Sequence, residues 1–468
     1  MKTESSNKSS PILQRLLAAV AATACCLTLA TGAQAALQGS AGNTQIWNKV
    51  TVAYSSGGGV AQTPAVSNVA IVTINTVNVT PTIISIAPSP GSTDGTGATQ
   101  QYTVALRTNS NGPGTITLGA ADGSPTNITV SGTTPTISGS AFLGATVFDP
   151  TATQNGVATT VAAAASITVA VPNDHGIPTD SATSGGAFSD GVINGLAVND
   201  IVYISNGIGG TFGPFTITAV TDPVEGAGTT AAPGSITIKN NTAGNIGPFT
   251  PVAGWQIVEA KTLTNTLTVT QGVVTAPASA ASWVTTVTAA MGTSTTANVT
   301  TNASSGSLTV TKYVRNVTAA VVGSTSITAP AGIGGATYYQ TGVSGKPGDI
   351  LEYLLRIDNT GLGSATAVIA TDPVPVYTTL VSSSTTYGAN NLGSAVTGLF
   401  AQALRGAVLQ PFHIDNSTGI ATVGWGKSAG ITAGSIMTFY LGNGSASSTG
   451  GTVSAAEADY VVYQVTIN

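Results

Sequence analysis

The chain has 468 residues, of which 7% are charged and 42% hydrophobic, and its formal net charge is −5. An average soluble protein carries about 25% charged residues, so this surface is unusually neutral. No cluster of Lys and Arg is available to track a nucleic-acid backbone. The low hydrophobicity and high net charge that keep a chain disordered are also missing.

The N-terminus reads as a secretory signal. Lys2, Lys8 and Arg15 precede an apolar stretch from Leu16 to Leu29, and Ala33-Gln-Ala35 offers a small-x-small cleavage site. Residues 1–35 are therefore expected to be a signal peptide. The apolar stretch is shorter than the ~20 residues of a spanning helix, and no transmembrane segment is expected after cleavage. Cys25 and Cys26 are the only cysteines, and both lie in this segment. The rest of the chain must be held by burial and hydrogen bonding, without disulfides. The expected location is secreted: extracellular, on the cell surface or in the periplasm of a bacterium.

Residues 36–307 read as a first β-sandwich. Alternation at Ile46–Tyr54, the Ser55–Gly59 turn and the run Val69–Ile74 predict a first pair of strands. Asn-Gly steps at Asn111, Asn155, Asn194, Asn206 and Asn443 favour tight hairpin turns. Within this unit, about residues 172–255 read as an inserted small β-barrel or meander. Its strands are Asn199–Ile204, Pro214–Val220 and Ser235–Lys239, separated by Gly-rich turns. A short helix is expected only near Ala401–Leu409.

Residues 308–468 read as a second β-sandwich. Pro347-Gly348-Asp349 forms a turn. Leu351, Tyr353, Leu355 and Ile357 then share one strand face, and Glu352, Arg356 and Asp358 share the other with Leu354. Asn359-Thr360-Gly361 ends that strand, and Asp372-Pro-Val-Pro375 stops the next one. Together with Leu308–Lys312, Ala365-Thr366 and the closing Tyr460–Asn468, this stretch resembles the conserved-repeat domain family, the domain of unknown function eleven. The resemblance implies an immunoglobulin-like module of bacterial or archaeal surface proteins, usually in tandem and with no catalytic residues. An internal echo agrees with a tandem. Gly97 and Tyr102 are spaced like Gly348 and Tyr353, and each strand runs on to an Arg and an Asn, Arg107 and Asn109 or Arg356 and Asn359. The expected fold is all-β: tandem immunoglobulin-like β-sandwiches, with the small β unit inserted in the first.

Candidate sites are few. His175 and His413 lack a His or Cys partner at zinc spacing, and no Gly-x-Ser-x-Gly elbow occurs, so no enzyme is expected. Asp174, Asp190 and Asp200 offer oxygen ligands suited to Ca²⁺, although Asp is also an ordinary turn former. No other cofactor is expected. Lys312, Glu352 and Asn359 could form an internal Lys–Asn amide promoted by the acid, and an exposed polar face explains them equally well. The expected function is a secreted, non-catalytic structural protein, a spacer or self-assembling subunit that associates through edge strands. The alternative is an adhesin recognising a surface glycan or protein through its sandwich-end loops.

Overall fold

The computed structural model describes residues 42, 45–48, 51–55, 61–67, 70–129, 135–137, 139–149, 153–172, 191–206, 210–222, 233–252, 254–381, 401–405, 408–410, 413–415, 433–445 and 449–468. Residues 1–35, read as a signal peptide, lie outside them. The described residues form strands and one short 3-10 turn, with no α-helix. The stretch expected to be helical near Ala401–Leu409 is instead the two strands Ala401–Arg405 and Val408–Gln410. The first of them pairs with Ala458–Ile467. An open backbone position beside that long strand overrides the local helical preference.

Two β-sandwiches follow one another. In the first, Thr82–Ala87, Thr99–Arg107 and the second half of Gln256–Thr270 form one layer. Ser140–Leu143, Gly114–Thr126, Ala281–Met291, Thr293–Ser304 and Gly91–Asp94 form the other. Tyr102, Val104 and Leu106 alternate inward and are fully buried, which is what a period of two produces on a half-buried strand. Tyr102 reaches across the core to hydrogen-bond with Thr301 Oγ1 of the opposite layer.

The inserted unit is a meander of Ile201–Ser205, Thr211–Thr221 and Gly234–Asn240, flanked by Ser166–Val171. Its core includes Phe148, Val161, Val169 and Val171, so it begins near Ala145 and not near residue 172. Short strands separated by turns hide that membership in the sequence. The unit is also not a separate body. The 15-residue strand Gln256–Thr270 pairs with Ile201–Ser205 through its first part and with Thr99–Arg107 through the rest. A single sheet thus runs through insert and sandwich. Asn194-Gly195 makes the tight turn expected of Asn-Gly, both residues having positive φ, between bridged Ile193 and Leu196.

In the second sandwich, Leu308–Asn316, Ile350–Asn359 and Ala458–Ile467 lie side by side. Ala365–Pro373, Ile436–Tyr440, Gly451–Val453 and His413–Asp415 form the facing sheet. Leu355 and Ile357 enter the core as their alternation requires. The opposite face is not the solvated polar face that the sequence suggests. Glu352 is 2% exposed and Leu354 is 0% exposed. The hairpin Ser324–Thr328/Thr337–Thr341 and the turn Ala331–Ile333 supply Tyr338 and Ile333 to the same core cluster, burying both faces of the central strand.

Candidate functional site: the joint between the sandwiches

The echoed turns are the same structure twice. Gly97 and Gly348 have φ of +83° and +91°, left-handed values that cost glycine nothing. Gly97 N–H donates to the Gln271 carbonyl at 2.8 Å, Ala98 N–H to Gly95 at 3.0 Å, and Gln271 N–H back to Ala98 at 2.8 Å. Gly348 N–H donates to the Ile467 carbonyl at 2.8 Å, Asp349 N–H to Lys346 at 3.0 Å, and Ile467 N–H back to Asp349 at 2.9 Å. Each turn therefore clips the start of a central strand to the end of its neighbour. In the second copy the Asp349 carboxylate also accepts from Asn316 Nδ2 at 2.9 Å and Lys346 N–H at 3.0 Å. Those bonds hold its pKa below the usual carboxylate range.

The first turn lies at the joint between the units. The first sandwich ends at Ser304 and the second begins at Leu308, so three residues connect them. All three are held. Gly363 N–H donates to the Ser305 carbonyl at 3.0 Å, Gly306 N–H to Ser364 at 3.1 Å, and Ser307 N–H to Asn359 Oδ1 at 3.0 Å. Asn359 is 2% exposed. Its amide nitrogen donates to the carbonyls of Gly363, Val453 and Ser454 at 2.9, 2.9 and 3.0 Å. One side chain thus fixes the loop that grips the connector. The Asp94 carboxylate accepts from Ser364 N–H at 3.0 Å and from Ser304 Oγ at 3.0 Å. Leu362 N–H closes the joint on the Pro277 carbonyl at 2.8 Å. The approach is close: a Cβ on Gly363 would lie 2.1 Å from Asp94 Oδ1.

Two ionic clusters stiffen the second sandwich. Lys312 lies in register with Leu355 on the inward face. Its Nζ meets both oxygens of Asp372 at 2.7 and 2.8 Å, and Tyr463 Oη donates to Asp372 at 2.6 Å. Lys312 also stands over the rings of Tyr353 and Tyr463, at 4.6 and 5.6 Å. Burial, and then the Asp372 charge, push the Tyr463 phenol up. On the other face Glu352 accepts from Arg315 Nε at 2.6 Å, from Gln464 Nε2 at 2.6 Å and from Tyr338 Oη. Lys312, Glu352 and Asn359 are therefore not brought together. Asn359 pairs in register with Leu308, four residues before Lys312, and Glu352 points to the opposite face. The expected Lys–Asn amide does not fit this arrangement.

Of the Ca²⁺ candidates, Asp174 and Asp190 lie outside the described residues. Asp200 accepts from Ala197 N–H at 2.7 Å, as a turn residue does, and burial raises its pKa. No group of three possible metal ligands occurs among the described residues. Asp200 lines an open groove of about 600 Å³ with Tyr203, Thr216, Asn241, Glu259 and Lys261, between the insert and the first sandwich. Glu259 is 6% exposed and accepts from Gly144 N–H at 2.6 Å, where the chain enters the insert. Burial pushes its pKa up to about 7, and Asp200 adds to the rise while Lys261 opposes it. His413 belongs to a strand paired with Ile436–Tyr440, and His175 lies outside the described residues.

Sequence reasoning did not find Asp94, Asp372 or Glu259. Asp372 was legible only as the residue before a strand-stopping proline. Asp94 sits two residues before the Thr96-Gly97 turn and carries no motif of its own.

No family model matches the chain, and no curated protein matches it. Among solved structures it is similar to the C-terminal domain of the Streptococcus agalactiae AgI/II polypeptide BspA, with 7% identity and a TM-score of 0.24 over 81% of this chain and 86% of that one. It is also similar to the C-terminal domain of the Streptococcus pyogenes antigen I/II-family protein AspA, with 10% identity and a TM-score of 0.23 over 90% of each chain. Both likenesses are distant. No helix among the described residues is long and apolar enough to cross a membrane.

Proposed function

We propose that this is a secreted, non-catalytic structural protein of a bacterial envelope or surface, acting as a stiff spacer. The observation that carries the reading is the held connector. A three-residue link in which every residue is hydrogen-bonded to the next sandwich leaves little freedom to bend. Independent modules joined by loose linkers behave differently, because domain motion is the default where few contacts cross a boundary. The unbroken sheet through insert and first sandwich adds to the same property. The sequence likeness of the second sandwich to the conserved-repeat family, and the signal-like N-terminus, agree with a surface role. Edge strands such as Ser324–Thr328, which is mostly exposed, offer backbone groups to neighbours. Small-angle scattering and electron microscopy of the purified protein test the proposal: a single extended rod is expected, and a broad distribution of inter-sandwich angles would refute it.

A second reading, an adhesin, is favoured by the groove at Tyr203, Asn241 and Thr216, which places an aromatic ring beside amide and hydroxyl groups. Saturable binding to a glycan array that is lost in Tyr203→Ala would support it. Proposals on Ca²⁺ rest with Asp174, Asp190 and Asp200, and a melting temperature that does not respond to calcium or chelator would remove them.

A further inference from the structure

The echo between the two sandwiches breaks at the partner of one arginine. Arg356 in the second sandwich corresponds to Arg107 in the first. Two residues on from Arg356 is Asp358, whose Oδ1 accepts from its Nε at 2.9 Å and lies 2.8 Å from its Nη2. Two residues on from Arg107 is Asn109, which carries no charge and whose amide is committed to Thr80 and Thr82. Arg315 has Glu352. Among the arginines with described side chains, Arg107 is the one without a carboxylate partner. Its hydrogen bond from Nη2 to Thr82 Oγ1 is long, at 3.4 Å, and its Nε is buried and unpaired. Burial lowers its pKa and only Tyr203 opposes, whereas their carboxylates raise those of Arg315 and Arg356.

Strand register sets this guanidinium beside the groove. Thr216, Ile201, Ala260, Arg107 and Thr82 lie directly opposite one another on successive strands, so they share one face of the sheet. Arg107 reaches along that row toward the insert, and its guanidinium stands 5.3 Å from the centre of the Tyr203 ring. Tyr203 and Ala260 both line the groove. Glu259 and Lys261 pair with Val202 and Leu106, so their side chains leave from the other face. Glu259 is engaged there by Gly144 N–H, and Asp200 turns back to Ala197 N–H. Neither acid neutralises Arg107. The groove, of about 600 Å³, has the size of a small-molecule site. Ile84, Ile201 and Pro214 give it apolar surface suited to the C–H face of a sugar ring. Asn241 Nδ2 donates to Thr216 Oγ1 at 2.6 Å, which leaves its Oδ1 to accept from a sugar hydroxyl.

We propose that Arg107 is the anion-recognising residue of this groove, and that the ligand is a glycan carrying a carboxylate, a uronic acid. A guanidinium is planar and permanently charged, and its N–H groups match the two oxygens of a carboxylate. Tyr203 is a positioning residue: its ring backs the guanidinium and leaves the edge with the Nη groups to meet the ligand. One cation suits one carboxylate. A densely sulfated or phosphorylated chain fits less well, because the protein has a formal net charge of −5 and repels polyanions. The carboxylate class deepens the adhesin reading and rests on it, since that reading requires only that a sugar occupy the groove. The insert gains a role: it brings Tyr203 to an arginine whose counterpart in the second sandwich is neutralised.

The test is calorimetric titration of the purified full chain with oligosaccharides of hyaluronan, alginate and polygalacturonate, each beside its carboxyl-reduced form, and with heparin fragments as the sulfated arm. Wild type is expected to bind at least one uronate oligosaccharide roughly ten- to a hundredfold more tightly than its reduced form, the range of a hydrogen bond to a charged group. Arg107→Gln is expected to abolish that preference by weakening the acidic ligand alone, and Arg107→Lys to restore part of it. A variant that merely folds poorly loses both ligands in proportion, so the ratio of the two affinities isolates the contact. Equal wild-type affinities for acid and reduced forms, a ratio unchanged in Arg107→Gln, or tighter binding of heparin would each overturn the proposal. Binding that ignores the carboxylate refutes the uronate and leaves an adhesin for neutral sugars. Binding of no oligosaccharide refutes both.

Discussion

Lys312 and Asp372 join the two layers of the second sandwich. Lys312 comes from the first strand of one sheet, and Asp372 from the end of the first strand of the other, 2.7 Å away. The carboxylate is nearly buried, while the Lys side chain is 36% exposed, so the two partners are not equivalent. Lys312 can reach water when it loses its partner. Asp372 cannot, and Tyr463 depends on it for an acceptor. A double-mutant cycle with Lys312→Met and Asp372→Asn is expected to give a coupling of about 1–3 kcal/mol in chemical denaturation. Additive effects would show that the contact contributes nothing. Intact mass is expected to show no loss of ammonia from a Lys312–Asn359 amide.

Glu352 is the acceptor for three side chains at once. Removing it strands the Arg315 guanidinium and the buried Tyr338 hydroxyl, and breaking a buried pair from one side costs about 3–5 kcal/mol. Since Arg315 is partly exposed, with 29% of its side chain accessible, the lower end is expected for Glu352→Ala. Tyr338→Phe removes one donor and is expected to cost about 1 kcal/mol. Urea titration with far-ultraviolet detection measures both, and equal effects would argue against the network.

Glu259 makes stability depend on pH. Its folded pKa of about 7 lies above the ordinary value of 4.5. Between those values the native state keeps a proton that the unfolded state has lost. Stability therefore falls as pH rises through that window, by roughly 3 kcal/mol in all. Glu259→Gln cannot ionise. Relative to wild type, it is expected to gain stability between pH 5 and pH 8, and a gap that stays constant over that range would rule out the ionisation.

Asp94 governs orientation more than stability. Its hydrogen bonds to Ser364 and Ser304 are at the surface, where such contacts contribute little. Asp94→Ala is expected to broaden the angle between sandwiches in scattering while leaving the melting temperature within a degree or two. Gly363→Val is expected to force the joint apart, because its Cβ meets Asp94 and the backbone of Ser304 and Ser305. Unaltered scattering profiles in both would mean that other contacts fix the joint.

Much of the fold could be read from the chain because its signals are local. Turn residues at Pro347-Gly348-Asp349 and Asn194-Gly195 fix backbone geometry wherever they occur. The inward alternation of Tyr102, Val104 and Leu106 follows from the two-residue period of a strand. The repeat of Gly97 and Tyr102 in Gly348 and Tyr353 gave the tandem, since equal spacing in a strand reproduces equal hydrogen bonds. Other features depend on what folds over a face. Nothing within Ile350–Asn359 says that the hairpin of Ser324–Thr328 and Thr337–Thr341 will cover Glu352 and Leu354. Phe148 joins the inserted core only because Gln256–Thr270 carries one sheet through both units. The partnership of Lys312 with Asp372 spans 60 residues and two sheets, and the grip of Asn359 on the connector depends on where Val453 and Ser454 lie. Strand period and turn chemistry are properties of neighbours in sequence, and they determined the all-β tandem. Which polar groups meet, and how the sandwiches are fastened, is set by register and layer packing between distant segments, so only the tertiary structure decided it.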